Sequence, residues 1–130
     1  LLSTSCSSGD DSKETEITLI NKTSGNWTDN FGNSYTITGK SINIENKNIY
    51  KILTDGSNFI ICKNGSNKAS SANLYSKFVF TNISSNKLNY CQSFFDSPSQ
   101  VFIENKVEPS VFNNLEAGCG GFLWSTMIRD

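Results

Sequence analysis

The four cysteines, at positions 6, 62, 91 and 119, are the residues of this chain best suited to covalent chemistry. No CxxC pair occurs among them, so their spacing supports neither thiol exchange nor an all-cysteine zinc site. Histidine is absent, which removes Ser-His-Asp and Cys-His machinery and histidine-bearing zinc sites. The carboxylates Asp29, Asp55, Asp96, Glu104, Glu108 and Glu116 fall near turns or on faces that read as solvated, with neither EF-hand nor HExxH spacing. A glycosidase-like acid pair is set by distance in space, and the linear pattern says nothing about it. Asp29-Asn30 with Asn33, and Asp55 with Ser57 and Asn58, could offer oxygens to Ca²⁺, but turns select the same residues without any metal. The reading is of a chain that is not an enzyme and that carries no cofactor and no metal.

The cysteines are then better placed to staple than to react. Cys91 lies in the apolar run Leu88–Phe94, and Cys119 lies among Gly118, Gly120 and Gly121, which permit close backbone approach. Cys91–Cys119 is the expected disulfide, closing a loop of about 28 residues and contributing roughly 3 to 4 kcal/mol in the chain-entropy account. Cys62–Cys91 is the alternative. With Cys91–Cys119 formed, Cys62, in Phe59-Ile60-Ile61-Cys62, reads as a buried hydrophobic thiol.

The elements that position these residues are short strands. Thr15–Asn21 alternates weakly and is a strand candidate. Trp27 and Tyr35 flank the turn Asn30-Phe31-Gly32-Asn33 and read as a hairpin with its aromatics facing the core. Ser41–Glu45, Ile49–Leu53 and Asn58–Cys62 continue the pattern, and Lys63–Asn73 is a longer polar loop suited to binding. Leu74–Asn82 and Lys87–Phe95 carry the densest aromatic content and are expected to pair as a central hairpin. Pro98, after an Asp or Ser cap, opens a short helix with Val101, Phe102 and Asn105 at helical spacing. Another turn is expected over Glu108–Leu115, with Val111, Phe112 and Leu115 on one face. Gly121–Ile128 reads as the closing strand, which in a barrel would pair with the first and leave no exposed edge. The fold class is mainly β: a small antiparallel barrel or sandwich of about 7–9 short strands, with a short helix or helical turns before the last strand.

In such a barrel Trp27, Tyr35, Phe78, Phe80, Tyr90 and Trp124 could either line a cavity for a small lipophilic ligand or fill the interior as a solid core. The length of 130 residues leaves room for one core. With 11 basic and 12 acidic side chains dispersed along the chain, no basic patch suggests nucleic acid as a partner.

The front end, Leu1-Leu2-Ser3-Thr4-Ser5-Cys6, is followed by a Ser/Gly/Asp/Lys/Glu stretch and resembles a bacterial lipobox in its relaxed spirochaete form. By that resemblance Cys6 is the lipidated first residue of the mature protein, residues 1–16 are a lipobox remnant and flexible tether, and 17–130 form a single β-rich domain. Further along come Gly25-Asn26-Trp27-Thr28-Asp29, Phe31-Gly32, Tyr35-Thr36-Ile37, Ser76-Lys77-Phe78, Tyr90-Cys91-Gln92 and Gly118-Cys119-Gly120-Gly121-Phe122-Leu123-Trp124-Ser125. Their order looks like that of the small uncharacterised surface or outer-membrane lipoproteins of Leptospira and related spirochaetes. The resemblance implies a palmitate-bearing lipoprotein, held by its lipid at the outer membrane or cell surface or on the periplasmic face. The tether, together with a domain that carries no cluster of reactive residues, points to a non-catalytic interaction module of unknown partner, for which a host or envelope protein is the candidate. The alternative is a β-barrel carrier of a small lipophilic ligand.

Overall fold

The structure, a computed structural model, describes residues 18–65, 72–105 and 113–130. Its frame is a closed barrel of eight antiparallel strands, each paired with its neighbour in sequence and the last with the first. In chain order the elements are α1 (Leu19–Thr23), β1 (Gly25–Asp29), β2 (Ser34–Ile37), β3 (Ser41–Ile44), β4 (Asn48–Asp55), β5 (Phe59–Asn64), β6 (Tyr75–Thr81), β7 (Lys87–Ser97), α2 (Gln100–Asn105) and β8 (Ser125–Arg129). Trp27 stands opposite Tyr35 in the β1–β2 hairpin, and β6 pairs with β7 along its length, both as the sequence leads one to expect. Closure through β1 and β8 sets Thr28 against Ile128 and Asp29 against Met127.

Alternation along the strands divides the side chains between two cores. Trp27, Tyr35, Ile37, Ile42, Tyr50, Ile60, Cys62, Phe78, Phe80, Leu88 and Met127 pack together inside the barrel. Their neighbours along β5 to β7, among them Ile61, Lys77, Val79 and Cys91, are also buried, but in the opposite direction. The chain between β7 and β8 covers this outer face: Ile103 of α2 is wholly buried, and Trp124 packs with Val79, Cys91, Phe59 and Cys119. Lys77 is 3 % exposed. Its ammonium donates to the Ile103 carbonyl at 3.1 Å and lies over the ring of Phe59 at 4.5 Å, so a cation tolerates burial there by having a carbonyl and an aromatic face as partners.

Two sequence expectations are corrected. Thr15–Asn21 does not give a strand over its described part, because Thr18 caps a helix by accepting from the Asn21 amide at 3.2 Å. Leu19 and Thr23, one turn apart, are then both buried. The expected short helix is present as α2, with Ile103 buried and Val101 and Phe102 65 % and 53 % exposed; the Ser99 hydroxyl accepts from the Phe102 amide. The closing strand begins at Ser125 instead of Gly121, and Phe122 and Leu123 are exposed. The turn expected over Glu108–Leu115 falls mostly outside the described residues; Leu115 is described and is exposed.

One end of the barrel is sealed. Leu19 and Ile20 of α1 pack onto the interior cluster, and the indole N–H of Trp27 donates to the Thr23 carbonyl at 2.8 Å. Arg129, the last residue of β8, lays its guanidinium over the Trp27 ring at 4.1 Å. The same guanidinium donates to the carbonyls of Ser24 at 2.6 Å, Lys22 at 3.1 Å and Ser85 at 2.6 Å. Gly25 sits against it with φ 133°, a conformation that favours glycine, and a Cβ there would lie 2.4 Å from Arg129 Nη1 and displace the guanidinium.

Candidate functional site

Because the strands alternate in direction, the connections after β1, β3, β5 and β7 gather at the end opposite α1. That end is the mouth. Interior-facing side chains near it are more polar than those beneath. Asp29, 7 % exposed, accepts from the amides of Phe31 at 2.8 Å and Asn33 at 2.9 Å, from the Asn33 side-chain amide at 3.1 Å and from the Tyr35 hydroxyl at 2.7 Å. The Tyr35 and Tyr90 hydroxyls are themselves hydrogen bonded, with their rings edge to face. On the other side of the mouth, the Asn64 side chain donates to Asp96 at 2.8 Å and accepts from Ser76 at 2.7 Å.

These partners fix the electrostatics. Burial raises the Asp29 carboxyl, but four hydrogen bonds from Tyr35, Asn33 and Phe31 outweigh it and hold the group below its ordinary value. Burial pushes the Tyr35 phenol strongly up, and its Tyr90 and Asp29 neighbours push the same way. Burial also raises Tyr90, with hydrogen bonds from Tyr35 and Ser125 offsetting it in part. Asp29 therefore stays ionised and the two phenols stay protonated across the physiological range. Of the turn residues that could have offered oxygens to Ca²⁺, Asp29 is engaged by donors and organises the β1–β2 turn. Among the described residues no group of three or more Cys, Asp and Glu gathers where it could hold a metal ion.

The five aromatics Trp27, Tyr35, Phe78, Phe80 and Tyr90 do converge on the barrel interior, and they fill it. The space left among Tyr35, Ile37, Ile42, Phe78, Phe80, Tyr90 and Met127 is about 10 Å³, at most one water molecule. Trp124 stands apart from them in the outer cluster. Ligand-sized room lies at the mouth instead. β7 pairs with β8 only through Tyr90, opposite Ser125; beyond that point the chain before β8 turns outward at Trp124. A groove of about 330 Å³ lies there, lined by Tyr90, Cys91, Gln92, Cys119, Phe122, Leu123 and Ser125. No charged side chain is among these lining residues, and Phe122 is 76 % exposed beside it. A second open recess, of about 580 Å³, lies between the end of β7 and α2, with Phe94, Asp96 and Phe102 among its walls.

The Cys91–Cys119 disulfide is present, with Cα atoms 5.7 Å apart, and Cys62 is a buried free thiol whose acidity burial suppresses. Cys6 and the tether lie outside the described residues. Sequence reasoning missed Gln92, Phe122 and Leu123 as groove residues because it assigned the last two to a strand. It also missed Arg129. The available signal was that this position carries the chain's single arginine, where every other basic residue is lysine, and only arginine offers a planar fork that both stacks and bonds several carbonyls.

The chain matches no known family model, no curated protein and no solved structure.

The Asp29 network has a pH signature. A carboxyl held below its ordinary value stabilises the fold fully above the unfolded-chain value of 3.8, and that contribution is lost as pH falls through the lower folded value. Asp29→Asn, which turns an amide donor towards backbone donors, is expected to cost about 1–3 kcal/mol at neutral pH. The gap from the parent protein should close as pH drops below about 4. Urea unfolding of both proteins across that range measures it; a pH-independent gap would show that Asp29 acts through shape and not charge.

Proposed function

We propose that the barrel binds one small, largely apolar molecule in the groove at its mouth, between β7 and the segment that precedes β8. The observation that carries this reading is the groove itself. At about 330 Å³ it falls within the size range of small-ligand clefts, and it combines apolar walls with a few convergent polar groups in Tyr90, Gln92 and Ser125. An eight-stranded barrel sealed at one end is also an architecture that carries single small ligands. The filled interior sets the geometry of the reading: the ligand rests on Tyr90 at the mouth and does not enter the centre.

We further propose that the domain is displayed from a bacterial envelope by a lipid on Cys6, as a surface or outer-membrane lipoprotein. The lipobox-like LLSTSC segment and the Leptospira resemblance support this. A single acyl chain binds membranes only marginally, so firm anchoring needs more than one chain. The competing reading of the same exposed side chains is a module that docks a protein.

Titration with the uncharged fluorophore N-phenyl-1-naphthylamine tests the groove. Saturable binding at one equivalent is expected, weakened about ten-fold by Phe122→Ala, the equivalent of losing part of one aromatic side chain's burial. Absence of saturable binding, together with retention of an envelope or host protein in pull-down, would favour the docking module instead. For the anchor, radioactive palmitate should label the parent chain expressed with its signal sequence and not Cys6→Ala; equal label in both would remove the lipoprotein reading.

A further inference from the structure

We infer that the Cys91–Cys119 bond is a redox gate on the groove, so that ligand is held by the oxidised chain and released when a small thiol reductant opens the bond. This rests on the groove being the ligand site and adds a control to it. The two cysteines are not behind the site but in its walls, since both line the groove. One wall is β7, with Tyr90, Cys91 and Gln92; the other is the strap of residues 113–124, with Cys119, Phe122 and Leu123. The disulfide is the covalent tie between the two.

The strap holds its own shape up to its anchor at Trp124. Its backbone hydrogen bonds from Gly118 to Asn114, Gly121 to Ala117, Phe122 to Cys119 and Trp124 to Leu115 all close within the strap itself. Gly120 and Gly121, with φ 58° and 94°, form the turn that brings Cys119 against Phe122. At the β8 end the strap is anchored by Trp124, 1 % exposed in the outer cluster. Between that anchor and the disulfide lie Phe122 and Leu123, the side chains that would cover a ligand. The ring of ladders that closes the barrel runs through β1 to β8 and not through the strap, and neither Cys91 nor Cys119 belongs to the interior cluster. Opening the bond therefore frees one groove wall while leaving the barrel's own pairing in place.

The chemistry balances as ordinary thiol exchange. A thiolate attacks the half-buried Cys119 sulfur, since Cys91 is only 2 % exposed, and Cys91 leaves and takes a proton. A second thiol resolves the mixed disulfide, so two reductant thiols become one reductant disulfide and the protein gains two thiols. Cys62 does not take part: it packs inside the barrel, whereas Cys91 faces the outer cluster, and the sheet separates them. Linkage makes the coupling reciprocal, because a ligand that prefers the oxidised chain must also protect the bond from reduction.

The test uses the folded protein with N-phenyl-1-naphthylamine as probe and a glutathione redox buffer as the source of thiol. Oxidised protein is expected to bind the probe about ten-fold more tightly than reduced protein, with the β-type far-ultraviolet circular dichroism unchanged. The double variant Cys91→Ser, Cys119→Ser should behave as the reduced protein whatever the buffer. Saturating probe should raise the fraction of disulfide that survives a fixed buffer, as counted by alkylation of Cys91 and Cys119; this readout keeps its force if the double variant fails to fold. Equal affinity in both states, or a surviving fraction indifferent to the probe, overturns the gate and leaves the groove standing as a ligand site. If the oxidised protein binds no probe at all, the groove reading fails and the gate falls with it.

Discussion

A barrel made by pairing the first strand with the last depends on the two ends of the chain finding each other, and here one arginine holds that seam. Its guanidinium is committed on its face to Trp27 of β1 and on its edges to the carbonyls of Lys22, Ser24 and Ser85. The first two lie together where α1 leads into β1 and the third lies in the β6–β7 turn, so a single side chain of β8 joins two stretches of the chain far apart in sequence. The neighbouring backbone follows the same contact: Arg129 N–H donates to Asn86 and Asp130 N–H to Asn26. Gly25 gives up a side chain to make room. Hydrogen bonds to a charged donor are the stronger kind; the one to Ser24 is half-buried, while those to Lys22 and Ser85 are exposed.

With one end sealed in this way, two hydrogen-bonded sets of polar side chains stand at the other. Asp29, Tyr35 and Tyr90 form one hydrogen-bonded set and Asn64, Ser76 and Asp96 another, and each leaves its buried polar atoms engaged. Small barrels of eight strands have interiors that side chains can fill, and this one is filled by aromatics meeting edge to face or tilted. The consequence for function is that room for a ligand is found where the barrel wall is incomplete. The wall is incomplete because β8 is short, and β8 is short because Trp124 is drawn outward into the second core. The disulfide then fixes what that departure leaves behind.

Much of the fold was legible because alternation is a strong signal wherever one face of a strand is buried. Trp27 opposite Tyr35, the β6–β7 hairpin and the Cys91–Cys119 bridge all follow from pattern and glycine placement. What misled was burial on both faces. The run Gly121–Ile128 looks like one continuous strand because Trp124 and Met127 are both buried, yet they belong to different cores, and no local pattern distinguishes two cores from one. Leu19 and Thr23 misled for a related reason: a helix of five residues is too short for its period to stand out from alternation. The groove could not be read at all, since it arises from where β8 ends and not from any residue's type. Arg129 was readable only as an anomaly of composition.

The account turns on the guanidinium fork closing the barrel, and urea unfolding of Arg129→Lys addresses it most directly. Lysine keeps the charge and much of the reach but cannot stack on Trp27 while bonding three separate carbonyls. The account predicts a loss of about 2 kcal/mol or more in unfolding free energy, with an unchanged dependence on urea. A loss below about 0.5 kcal/mol, the scale of an ordinary surface substitution, would mean that the seam is held by the strand ladder alone.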